Sequence, residues 1–91
     1  MPYTNDEISE AEQYLRGYPE FDWLTKSGQQ WFKTQEVSDG LGIGEAAVRA
    51  ICDRQEIDGA INYGKPIGWR MPRAGLFMYL ATLKRRGAIA G

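Results

Sequence analysis

The chain has no histidine and a single cysteine. The first absence removes the usual general base near neutral pH, the common zinc ligand and the centre of any Ser-His triad. The second leaves no internal disulfide to form. Cys52 stands beside Ile51 and four residues after Val48, on the face a helix would bury, and reads as core rather than as a reactive thiol. Carboxylates are plentiful, yet no pair is singled out by its setting as acid and base. No enzyme, metal or cofactor is expected on these grounds. No apolar run comes near the roughly 18 residues that a membrane span needs. The opening MPYTNDEISE is polar and acidic, unlike a signal peptide, which predicts a cytoplasmic protein with no membrane partner. Glycines stand before a helical pattern in Gly40-Leu-Gly-Ile-Gly44, but the spacing is not G-x-G-x-x-G and no Lys-Ser/Thr follows, so a nucleotide loop is rejected.

The 91 residues fit one domain with a modest core, and 11 aromatics, Trp23, Trp31 and Trp69 among them, supply large apolar surfaces for it. The net charge of −1 is unevenly spread. Residues 1–48 hold Arg16, Lys26 and Lys33 against nine acids; residues 49–91 hold eight Lys or Arg against Asp53, Glu56 and Asp58. That division predicts a basic half facing phosphates while the acidic half faces away.

Thr4-Asn-Asp-Glu7 is a capping box, which predicts a helix from Asn5 with Ile8, Ala11 and Leu15 as its apolar stripe and Gly17 at its end. Pro19 opens a second short segment carrying Phe21 and Leu24, ended by Gly28. Trp31-Phe32 reads as extended chain leading to Thr34, which is placed to cap the next helix. From Thr34 to Arg54 the pattern is that of two helices joined by a tight turn. Val37 and Leu41 share a buried face, Ser38 is small where the helices cross, and Gly42 supplies left-handed backbone. Ile43 is expected to plug the corner, with Val48 and Ile51 closing the core from the second helix. Ala60–Gly64 and Gly68–Met71 then read as a hairpin turned at Gly64-Lys-Pro-Ile-Gly68. Pro72 opens a last helix whose Leu76, Phe77, Leu80 and Leu83 share a face.

A helix-turn-helix, a hairpin and a helix that opens with Pro-Arg resemble the winged helix-turn-helix of phage and plasmid excisionases, the module that also forms the DNA-reading end of MerR-like regulators. The resemblance runs from about Trp31 to Arg86 and is sharpest over Thr34–Ile51 and Trp69-Arg-Met-Pro-Arg73. It implies a single domain, mainly α with a small β-hairpin. Residues 31–86 would be a winged helix-turn-helix core, 1–30 a helical extension packed on its back or facing a partner, and 87–91 a tail. The implied partner is double-stranded DNA, and the implied roles are excisionase or small transcriptional regulator. A DNA-recognition subunit of a packaging or transposition machine, or an adaptor without DNA contact, are the alternatives. Protein partners would be a second copy, a recombinase, a polymerase or a terminase.

The expected DNA contacts follow from the same layout. With Val48, Ile51 and Cys52 inward, the second helix presents Glu45, Ala46, Arg49, Ala50 and Asp53. Arg49 suits a guanine edge or a phosphate, Glu45 a cytosine amino group, and the alanines a close approach to thymine methyls. Glu45, Arg49 and Asp53 are also spaced as an i, i+4 charge ladder. In the resemblance Lys65 and Arg70 match wing positions and Arg73 matches a phosphate contact at the helix start. The tip reads Lys-Pro-Ile-Gly where family members often carry several arginines, and Ile67 is a candidate wedge against a sugar or base step. Thr34, at the start of the motif, completes the set.

Overall fold

Thr4 and Glu7 cap each other in the computed structural model of the chain, which describes residues 3–87. The expected tail therefore lies outside the described residues apart from Gly87. The Glu7 N–H donates to the Thr4 hydroxyl (3.2 Å) and the Thr4 N–H to the Glu7 carboxylate (2.9 Å), so two otherwise unpaired donors at the helix start are satisfied. Helix α1 (Asn5–Arg16) follows and buries Ala11 and Leu15. A 3-10 turn (Pro19–Phe21) and a one-turn helix α2 (Asp22–Thr25) bury Phe21, Leu24 and Thr25.

Strand β1 (Trp31–Lys33) alternates exposed, buried, exposed, with Phe32 turned in. It leads directly into α3 (Thr34–Leu41), and α4 (Glu45–Asp53) follows after a short turn. Strands β2 (Ile61–Asn62) and β3 (Trp69–Pro72) form a hairpin, and α5 (Arg73–Arg85) ends the described fold. The chain is thus mainly helical with a three-stranded antiparallel sheet of order β1-β3-β2. The sequence pattern implies the hairpin and an extended Trp31-Phe32 but not their pairing; β1 joins the hairpin because Phe32 sits opposite Met71, both buried, and Trp31 opposite Pro72.

Both halves of the chain build one core. Ala11, Leu15, Phe21 and Leu24 from the first segment meet Phe32, Val48, Met71, Leu76, Phe77 and Leu80 from the rest, with α1 lying along α5. The N-terminal segment is therefore part of the domain's interior. Two close approaches depend on glycine. A Cβ at Gly40 of α3 would come within 2.3 Å of the Trp23 ring, and one at Gly75 of α5 within 2.1 Å of the Asp58 carbonyl oxygen. No helix among the described residues is long and apolar enough to cross a membrane.

Candidate nucleic-acid interface

Gly42 ends α3 in the left-handed region (φ 70°, ψ 30°), where an L side chain is strained. Its N–H and that of Ile43 both donate to the Ser38 carbonyl, at 2.9 and 3.2 Å. The Ser38 hydroxyl in turn donates to the Ile43 carbonyl. This hydroxyl, not an apolar plug, ties the corner. The expectation for Ile43 is corrected, since its side chain is 36 % exposed. Val48 and Cys52 are buried and Ile51 half-buried, so α4 turns its other side outward. Burial pushes the Cys52 thiol up to about 11, with the Asp53 carboxylate adding to the shift, which leaves it protonated and inert near neutral pH.

The outward side of α4 carries the expected residues except Ala50, which is half-buried at the edge of the helix's inner face. Glu45, Ala46, Arg49 and Asp53 are exposed, and Ala47, which the sequence reading did not single out, joins them. Arg49 lies 3.8 Å from Glu45, so the charge ladder forms at its first rung. Both side chains remain about half exposed, at 53 % and 51 %, a loose pair in water that a phosphate or base edge can displace.

The hairpin holds the other expected contacts. Lys65 is exposed at the turn and forms no ion pair among the described residues. The turn is closed by Tyr63 N–H to the Gly68 carbonyl and Gly68 N–H to the Gly64 carbonyl. Arg70, in β3, donates through Nη1 to the carbonyls of Ile67 (2.7 Å) and Trp69 (2.9 Å), which fixes its guanidinium against its own hairpin.

Thr34 is the first residue of α3 and does not cap it. The cap position falls one residue earlier, at Lys33. There the Glu36 carboxylate accepts the Lys33 N–H at 2.8 Å and is further held by the Gln29 amide. The Lys33 N–H is the first reason that the Glu36 carboxyl lies below its ordinary range; burial opposes the shift, while the Gln29 amide and the charges of Lys33 and Arg70 add to it.

Arg73 is not a surface contact. Its guanidinium turns inward, donating to the carbonyls of Leu24 (2.9 Å), Thr25 (3.3 Å) and Ser27, and lies 4.8 Å over the Phe77 ring. Glu12 stands 3.6 Å away, and the side chain is only 15 % exposed. The last turn of α2 and the residue Ser27 beyond it present three carbonyls without partners in a following turn, and a five-donor fork at the start of α5 meets them. Other cations of the basic half are engaged as well. Arg54 pairs with Glu56, Lys84 with Glu20 at 3.1 Å and above the Tyr18 ring, and Arg85 covers Tyr14. The expected division of the surface by charge is thus replaced, at Arg73 and Lys84, by pairing between the halves. Comparison of the chain with protein-family models, with curated proteins and with solved structures gave no match.

Proposed function

We propose that this chain binds duplex DNA as a winged helix-turn-helix, with α4 in the major groove and the β2–β3 hairpin as the wing. The observation that carries this reading is the α3–α4 corner. It is a left-handed glycine turn that buries Val48 and Cys52 and leaves the opposite side of α4 exposed, small at Ala46 and Ala47 and cationic at Arg49. Small residues let the helix backbone approach the base edges, and Arg49 is the residue of α4 able to fork onto a guanine. Lys65 at the hairpin turn and Arg70 behind it suit the phosphate backbone. Excisionase-type or small regulatory proteins are the roles this layout fits, with recognition within a packaging or transposition complex as the alternative. The engagement of Arg54, Arg73, Lys84 and Arg85 within the fold favours a second reading, an adaptor that uses the same scaffold to hold proteins.

Titration onto duplexes at several salt concentrations decides between them. With Arg49, Lys65 and Arg70 as the phosphate-facing cations, log K should fall against log salt with a slope of about −3. Arg49→Ala should cost about 1–3 kcal/mol on a selected site and flatten discrimination between sites. Lys65→Ala should weaken all duplexes alike. Absence of duplex binding at low salt would leave the adaptor.

A further inference from the structure

Large apolar side chains that remain exposed are gathered in one place. Trp31 (45 %), Ile61 (42 %), Tyr63 (53 %) and Ile67 (50 %) lie on the sheet and its hairpin, and among the described residues only Ile43 is exposed elsewhere. Registration explains the grouping. Lys33 and Ile61 both sit opposite Arg70, and side chains alternate along a strand, so Trp31, Lys33, Arg70 and Ile61 share the face opposite buried Phe32 and Met71. Trp31, Tyr63, Ile67 and Arg70 line one open depression. Cations lie along this side of the sheet: Arg70 lines the depression, Lys33 shares its strand face and Lys65 stands at the hairpin turn. Glu36 is an acid that feels Lys33 and Arg70, and its carboxylate is already taken up by the Lys33 N–H and the Gln29 amide.

We infer that this face is a second nucleic-acid surface, which takes unstacked bases of a single strand. Trp31 and Tyr63 offer ring faces on which bases stack, and Lys33, Lys65 and Arg70 meet the phosphates that join them. Arg70 is fixed for this by its Nη1 bonds to Ile67 and Trp69, which hold the guanidinium in the depression. An acidic peptide shares the charge but fits less well. Strand addition needs a run of free backbone groups, and the two edge strands, β1 and β2, are only three and two residues long. Stacking needs only ring faces and cations, and both are present. This surface shares Lys65 and Arg70 with the wing proposed above but not Trp31, Tyr63 or Lys33.

A labelled oligothymidylate, a blunt duplex and a glutamate-rich peptide bearing one leucine are titrated onto the full chain at about 50 mM and about 200 mM salt. The oligothymidylate should bind, more weakly at the higher salt. Trp31→Ala and Tyr63→Ala should each weaken it by about fivefold or more, with Trp31→Phe restoring most of the loss. Both side chains are exposed, so an unchanged circular dichroism spectrum is expected and is checked. Arg49→Ala should leave oligothymidylate binding intact, and Trp31→Ala should leave the duplex intact, so the failure of either surface shows separately. No oligothymidylate binding at the lower salt, or binding indifferent to both alanine variants, overturns the assignment. So does a peptide that binds in its place and is lost with Trp31 and Tyr63.

Discussion

Arg73 ties distant parts of the chain together, reaching back 46 to 49 residues to three carbonyls. A hydrogen bond from a charged donor contributes about 1.5–3 kcal/mol, and a partly buried carbonyl left without one costs on the same scale. Arg73→Met keeps an apolar stem over Phe77 and removes the donors. It should lose about 2–4 kcal/mol, a fall in melting temperature of about 10 °C or more for a domain of this size, while the folded fraction binds any duplex as the parent does. An Arg73→Met variant that melts like the parent but binds DNA more weakly would return the residue to the surface role that its sequence setting implies. The sequence holds no trace of the inward role, because the three carbonyls are backbone groups some 50 positions away and every loop has such groups. Local signals, by contrast, were legible. Thr4 with Glu7, Gly42, and Val48 with Cys52 act within one or two helical turns, where spacing alone fixes which groups meet.

Helix α3 shows how an element's start sets its pH response. The Glu36 carboxylate accepts the Lys33 N–H and feels the charges of Lys33 and Arg70, so its folded value lies below the ordinary 4.5. The folded state then takes up the proton less readily than the unfolded chain. The stabilisation is fully present above the ordinary value and is lost as pH falls through the depressed one. Glu36→Gln keeps an acceptor for the Lys33 N–H but cannot titrate. Denaturant melts between neutral pH and about pH 3 should show a shallower acid loss in Glu36→Gln than in the parent, while Glu36→Ala is weaker at every pH. Equal acid slopes in the parent and Glu36→Gln would mean that Glu36 carries none of the response. Thr34 attracted the capping role in the sequence because threonine is a good cap; Glu36, three residues after Lys33, was the better guide, since the reaching carboxylate marks the position it caps. The extension at Trp31-Phe32 was legible, but its place in the sheet was not. Three residues are too few for alternation to declare itself, and β1 exists only through its pairing with β3.

At the scale of the molecule, residues 3–28 are part of the fold. Leu15 and Leu24 are fully buried in the common core, and α2 together with the residues after it receives the Arg73 fork. Leu15→Ala should cost about 2–5 kcal/mol. Deleting residues 1–28 should abolish the cooperative melt and produce aggregation visible by light scattering, through exposure of Phe77, Leu80 and their neighbours. A truncated chain that stays folded and merely changes its oligomeric state would instead make the segment a dimer face. The apolar stripe of this segment was readable from its period, but not the surface it covers, since an amphipathic helix looks alike whether its own domain or another chain lies beneath it.

The pairing of Glu20 with Lys84 and of Glu12 with Arg73 has a consequence for speed. A chain with a detached basic half would draw a polyanion in from a distance; here opposite charges from the two halves lie a few ångströms apart, and their fields largely cancel beyond the Debye length, about 10 Å in ordinary buffers. With a net charge of −1, the chain as a whole does not draw a polyanion in from afar, and any guidance comes from exposed local cations such as Lys65 within about a Debye length. Salt then acts over the last ångströms of approach and on how long the partner stays.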